Sequence, residues 1–357
     1  MNVSMPRGRA HGWGIAGEYL SREIARLTPV EGVTLHCMRG NDLQPFEPEE
    51  WDRINIGYCF FEDAISVLEH ARAAGRRWDL IVAGSRWCEY QLRIGGVRNC
   101  TTILQGVDRD LFYPGIKLTR RENFVVFSGG KFELRKGQDL VIAAMKAFMQ
   151  RHDDVLLSCA WHNQWPFSMA TMELSPHITY RHNEESCQQI LAETLANNGI
   201  PLERVLLHPP QDNSQMRQVY LDSDIGLFPN RCEGGNNMVM CEYMACGRTV
   251  IASDMTGHGD VITPANAFPL TRYMPRHYRH YAEGVWFEPD VGEMIDMLEY
   301  AYHHRRELRP KGLHAVTDMA RLSWPEAARR FHAIGRALAR RRADAATSGG
   351  IPPQEPL

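Results

Sequence analysis

The sequence predicts an α/β protein made of two domains, with doubly wound, mostly parallel sheets. Short β-branched or apolar runs alternate with longer segments of helical period, the pattern of strands connected by crossover helices. The 357 residues exceed what one core needs at roughly 100–200 residues per domain. Composition is ordinary for a globular chain, 44% hydrophobic with a formal net charge of −3. Length excludes a small disulfide-stapled module, and near-neutral charge excludes bulk attraction to nucleic acid or to an anionic membrane.

The first 115 residues are the less regular part. Gly17 to Leu27 reads as a helix, and Gly32 to Cys37, Arg53 to Cys59 and Leu80 to Ala83 read as strands. Leu111 to Glu122 carries Pro, Gly and charge without periodicity, the mark of a linker. The domains expected are therefore 1–115, small, and 122–322, larger.

Alternation is clearest in the larger domain. Strands are predicted at Phe124–Ser128, Val155–Ala160, Val205–His208, Asp224–Phe228 and Thr249–Ser253. Helices are predicted at Gln138–Gln150, Ser186–Asn197, around Ser214–Leu221, and from about Asn237 to Ala245. Ser323-Trp324-Pro325-Glu326 is a capping box, and Ala327, Phe331, Ile334 and Leu338 form an apolar face over 323–342. Residues 343–357, with Gly349-Gly350 and three prolines, read as a disordered tail.

Nine cysteines, an odd number without any C-x-x-C pair, fit a reduced, cytoplasmic chain. The first nine residues lack the apolar core of a signal peptide, and no uncharged apolar run nears the ~18 residues of a spanning helix. No integral membrane segment is expected. Arg329, Arg330, Arg336, Arg340, Arg341 and Arg342 make the last helix basic, which offers peripheral contact with an anionic membrane or a phosphate-bearing acceptor, or simply a solvated face.

Two loops carry chemistry. Gly129-Gly130-Lys131-Phe132-Glu133-Leu134-Arg135-Lys136-Gly137 joins a strand to a helix. Its glycines let amides approach an anion, the helix N-terminus adds partial positive charge, and Lys131 and Lys136 add point charges, a chemistry suited to a diphosphate. The second loop runs from Asn230 through Glu233-Gly234-Gly235-Asn236-Asn237, with Asn236 placed to cap the next helix and Gly247 to close it. Within that helix Glu242 lies among Met238, Met240, Cys241, Met244 and Ala245, so its carboxylate needs a partner such as sugar hydroxyls or a helix neighbour. No metal-ligand spacing and no Ser-His-Asp pattern emerges.

Glu233…Glu242-Tyr243-Met244-Ala245-Cys246-Gly247-Arg248-Thr249-Val250 resembles the glutamate-pair signature of retaining glycosyltransferases of family 4, which have the GT-B fold. The Gly130-Lys131…Lys136-Gly137 loop, Gln105-Gly106-Val107-Asp108…Phe112-Tyr113-Pro114 and Ser323-Trp324 resemble the same family in order and spacing. The resemblance covers roughly 80 to 340. It implies two Rossmann-like domains facing across a cleft, the first one reduced, and a last helix returning to it. It also implies a sugar moved from a nucleotide-diphosphate sugar to a hydroxyl-bearing acceptor, with no cofactor besides that co-substrate and no metal.

By the same resemblance Lys131 and Lys136 hold the donor diphosphate, with Lys131 standing where the family more often has Arg. Glu242 binds the ribose, Glu233 lies near the donor sugar, and the amides of Gly235, Asn236 and Asn237 face the phosphate or sugar. Glu233 and Glu242 have eight residues between them where the family has seven. Gly12-Trp13-Gly14-Ile15-Ala16-Gly17 matches G-x-G-x-x-G, yet no buried strand of Met5–Ala10 precedes it. In the family's setting Gly12 and Gly14 form a first loop toward the donor phosphates, with Gly17 opening the helix. The histidine usual in the family's first domain is missing from Ile56–Asp63, and His11 and His258 are other candidates. Three alternatives stay open: a nucleotide-sugar epimerase or hydrolase of the same fold, a non-catalytic binding subunit, and an NAD-dependent oxidoreductase resting on Gly12–Gly17 alone.

Overall fold

The structure, a computed structural model, describes residues 1–8, 11–40, 42–47, 51–117, 122–163, 166–183, 185–278 and 282–347. Two units emerge. The first holds Met1–Gly106, Gly234–Asn236 and the chain from Leu322 onward; the second holds Val107–Glu233 and Asn237–Arg321.

In the first unit β1 (Asn2–Ser4), β2 (Val33–Cys37), β3 (Ile54–Cys59), β4 (Leu80–Ala83) and β5 (Cys100–Thr102) form one parallel sheet in chain order. Helices α1 (Gly12–Ala25), α2 (Ala64–Arg77) and α3 (Arg86–Ile94) accompany them. Strands β2, β3 and β4 are buried at every position, which is why they read as apolar runs without alternation.

The second unit begins with β6 (Phe124–Gly130), α4 (Gln138–Met149), β7 (Val155–Trp161), α5 (Cys187–Asn197) and β8 (Val205–Leu207). It continues through α6 (Met216–Leu221), β9 (Ile225–Phe228), α7 (Met238–Ala245), β10 (Thr249–Ser253) and β11 (Phe268–Leu270). An antiparallel hairpin, β12 (Tyr273–Tyr278) and β13 (Ala282–Pro289), precedes α8 (Val291–His303) and α9 (Arg305–Met319). The last helix, α10 (Trp324–Thr347), packs in the first unit, where Trp324 stacks on Tyr19 at 5.2 Å and Phe331 meets Tyr58 edge-on at 5.0 Å.

The six-stranded sheet runs β11-β10-β9-β6-β7-β8, all parallel. Chain order climbs outward from β6 in one direction and from β9 in the other, so the topological switch lies between these two strands. In such sheets ligands bind beyond the strand ends at the switch. The loops after β6 and β9 are the two that the sequence marks as chemical.

Several expectations are corrected. The first unit ends at Gly106 and not at 115, because Phe112 packs on the Tyr220 ring and Arg217 donates to the Tyr113 carbonyl, both in the second unit. Helix α1 starts at Gly12, five residues before Gly17, since His11 caps it by accepting from Gly14 N through Nδ1 at 3.1 Å. Helix α10 continues past 342 to Thr347: Ala343-Asp344-Ala345-Ala346 suits a helix, and no breaker precedes Gly349. The rest of the expected tail, the segment 118–121 of the linker, and Gln164-Trp165 lie outside the described residues.

Candidate functional site

The lysine loop is shaped by three constraints. Gly137 takes a left-handed φ of +75°, and a Cβ there would stand 2.2 Å from the Pro229 carbonyl oxygen. Asn163, at the end of β7, grips Phe132 at both main-chain groups, accepting from its N at 2.7 Å and donating to its O at 3.2 Å. Arg231 supplies the third: its Nη1 donates to the Leu134 carbonyl at 2.5 Å and its main-chain N to that of Arg135 at 2.8 Å.

Arg231 has no exposed side-chain surface and sits between two carboxylates. Asp139 receives two bonds at 2.8 and 2.7 Å, and Glu288 receives two at 3.0 and 2.8 Å. A planar guanidinium matches this double fork. It ties the start of α4, the loop after β9 and strand β13 to one point, which fixes the turn Leu134–Lys136.

Beside it Glu233 is 4% exposed and surrounded by donors. Lys136 Nζ bonds its Oε1, Asn230 Nδ2 donates to the same oxygen at 2.5 Å, and Arg135 Nη1 lies 3.5 Å away. Burial alone would raise its pKa; Lys136, Arg135 and the field at His258 outweigh that and hold the carboxyl at about 2. Burial works against the Lys136 ammonium while Glu233 supports it, so each ion keeps the other charged. Lys131 is farther out, 3.5 Å from Glu133, which in turn pairs with Arg135 Nε at 3.0 Å.

Helix α7 starts from a strained residue. Asn237, not Asn236, is its N-cap, with φ +53° and a side chain accepting from Met240 N. Its Nδ2 donates to His258 Nε2 at 3.1 Å, and His258 Nδ1 donates to the Ser253 carbonyl at 3.2 Å, which sets the tautomer. Burial lowers the His258 pKa to about 4, so the ring is neutral. Thr256, the other positive-φ residue here at +54°, accepts from Glu233 N at 2.9 Å. Two non-glycine residues held at positive φ around one carboxylate mark a site whose geometry the surroundings enforce.

One turn into α7, Glu242 is 6% exposed and meets only neutral donors: Asn213 Nδ2 at 2.9 Å and Tyr220 OH at 3.1 Å. Burial dominates, helped by the negative field of Asp108, and lifts its pKa to about 8. The structure thus brings Lys131, Lys136, Gly130, Glu233, Asn237 and Glu242 to the switch end of one sheet.

Gly12, Gly14, Gly235 and Asn236 belong to the first unit. Gly12 and Gly14 are in the first turn of α1 and not in a loop, with the Gly14 amide already bonded to His11; a Cβ on Gly14 would meet the Gly8 carbonyl at 2.8 Å. Asn236 is engaged at both ends of its amide with Gln105, accepting from N at 3.2 Å and donating to O at 3.1 Å. Sequence reasoning missed Arg135, Asn230, Arg231, Asn213 and Tyr220. The signal available was local for the first three, which flank the motif residues, and absent for the last two.

Residues 122–276 match the family described as glycosyl transferases group 1. Sucrose-phosphate synthase from Thermosynechococcus elongatus is similar in structure, with a TM-score of 0.64 at 15% identity over 91% of this chain and 78% of that one. HepE of Anabaena, solved with UDP and glucose, gives 0.59 at 14% identity over 90% and 74%. A glycosyltransferase from Rickettsia africae gives 0.61 at 13% over 86% and 76%. No curated protein matches the sequence. At such identities the likeness is one of fold: two Rossmann-like α/β domains of the GT-B type. Among the described residues no helix is long and apolar enough to cross a membrane. Residues 122–276 are thus similar to the glycosyl transferases group 1 family, within a chain whose fold is of the GT-B type.

Proposed function

We propose that the protein is a retaining glycosyltransferase of family 4 type, which transfers a sugar from a nucleotide-diphosphate sugar to an acceptor hydroxyl. The observation that carries this reading is the meeting of Lys136 and Glu233 at the β6/β9 switch, between a Gly-rich strand-to-helix loop and the N-terminus of α7. Lys136 has three donors and spends one on Glu233. The others, with Lys131 and the amides near Gly130 and Asn237, stabilise the charge that grows on the leaving diphosphate. These groups supply the positive charge the step requires, so the reading calls for no cofactor beyond the donor.

Glu233 is saturated by Lys136, Asn230 and Arg135, which leaves it poorly placed to act as a nucleophile. That favours front-face substitution, in which the acceptor oxygen attacks on the side the diphosphate leaves and a donor phosphate oxygen takes the proton. In this reading Glu233 positions Lys136 and does not touch the sugar. Glu242 takes the ribose hydroxyls in place of its bonds to Asn213 and Tyr220.

HepE is solved with UDP and glucose, which makes UDP-sugars the first donors to try. A thermal-shift screen of UDP-, GDP-, ADP- and TDP-sugars should raise the melting temperature with one base preferred. Product that appears only when acceptor is added completes the proof. Donor consumed equally without acceptor points to the epimerase or hydrolase, donor bound without turnover points to a binding subunit, and no shift with any nucleotide sugar removes the reading.

A further inference from the structure

Away from the switch, the described residues contain one group of side chains suited to a metal ion: His152, Glu299 and His303. His152 follows the C-terminal end of α4, while Glu299 and His303 stand one turn apart on α8. Helix α4 starts at the lysine loop and its twelve residues span about 18 Å, so the group is at the far end of that helix from the donor chemistry.

His152 Nε2 is 2.7 Å from Glu299 Oε2, His303 Nε2 is 3.8 Å from that same oxygen, and all three ligand atoms lie within 4.8 Å of one another. A tetrahedral ion with bonds of about 2.0–2.2 Å wants its ligands roughly 3.4 Å apart, which small rotamer changes achieve. The carboxylate is divided: Arg151 occupies Oε1 at 3.1 Å and leaves Oε2 to the two imidazoles. Tyr302 holds both rings, lying 4.0 Å from His152 and edge-on to His303 at 5.3 Å, and is itself bonded to Asp154 at 2.8 Å.

We propose that His152, Glu299 and His303 form a site for a divalent transition metal of the Zn2+ type, which clips the end of α4 to α8. Two imidazole nitrogens and one carboxylate oxygen suit zinc, with a fourth position left to water, whereas Mg2+ and Ca2+ prefer all-oxygen sets. A plain ion pair between His152 and Glu299 explains one distance; it does not explain why His303 turns to the same oxygen. Because 147 positions separate His152 from Glu299, no ligand spacing in the sequence reveals the group.

The test is calorimetric titration of the chelator-stripped full chain with ZnCl2, alongside thermal melts. Wild type should bind one equivalent with low-micromolar affinity that millimolar Mg2+ leaves unchanged, and about 100 µM Zn2+ should raise the melting temperature by several degrees, reversed by EDTA. His303→Ala, at a position 62% exposed in its side chain, and the near-isosteric Glu299→Gln should each weaken binding tenfold or more, while His304→Ala should not. The proposal is overturned by equal zinc binding in wild type and both ligand variants, or by no heat and no melting shift in wild type.

Discussion

Glu233 and Glu242 lie on one continuous loop and helix, are 4% and 6% exposed, and end in opposite states. Around Glu233 the protein places two cations and an amide donor, and the carboxyl is driven down to about 2. Around Glu242 it places an amide and a phenol, no cation, and a second acid in range, and the carboxyl rises to about 8. Burial is common to both and pushes both upward; the charge of the neighbours decides the sign. On the proposed function, the contrast separates an anion that positions a lysine from a neutral acid that takes the ribose hydroxyls.

The charged end depends on Arg231, and removing it is the most damaging change expected. Arg231→Met leaves Asp139 and Glu288 buried without their shared cation, which costs about 3–5 kcal/mol. Denaturant unfolding should show the midpoint falling accordingly; a loss below about 1 kcal/mol would mean that water or rearrangement takes over the role. Next in size is Lys136→Ala, for which turnover should drop about 100-fold or more through loss of charge stabilisation in the transition state. Unchanged turnover removes the lysine from the mechanism. Glu233→Gln separates positioning from contact: if Glu233 acts through Lys136, turnover falls while affinity for the free nucleotide stays within about threefold.

The strands and the two chemical loops of the second unit are legible because buried parallel strands are unbroken apolar runs and glycines punctuate the turns. What the sequence hides has identifiable physical reasons. Strands β1, β5 and β11 are three residues each, too short to carry a period. Helix α9 contains Pro310, which reads as a stop, and β12 contains Pro275 among polar residues. At the site, Lys131, Lys136, Glu233 and Glu242 announce themselves by type and place, whereas Asn213 and Tyr220 reach Glu242 from across 29 and 22 positions. The sequence reading puts the cap at Asn236; the backbone gives it to Asn237 and turns Asn236 to Gln105.

At the neutral end, Glu242→Ala should weaken nucleotide binding by about 1.5–3 kcal/mol, the worth of hydrogen bonds to a charged group. Equal affinity by calorimetry removes the ribose assignment. If the bound form is the anion, wild-type affinity should also rise close to tenfold per pH unit below about pH 8, and Glu242→Gln should lose that slope.

The pH dependence of stability is the most direct test of the contrast. In the free protein the folded state holds a proton on Glu242 that the unfolded chain, with an ordinary pKa of 4.5, has released. Stability therefore declines as pH rises through the window from 4.5 to about 8, with the full loss above it. Glu242→Gln has no proton to lose, so its melting temperature relative to wild type should climb from pH 5 to pH 8.5, at about 2–4 °C for each kcal/mol. Glu233 must behave in the opposite sense: its anion contributes stability that is present above 4.5 and disappears as pH falls toward 2, so Glu233→Gln is destabilised at neutral pH. Parallel pH curves for wild type and Glu242→Gln would show that Glu242 is ionised in the fold, and the division between a charged end and a neutral end would collapse.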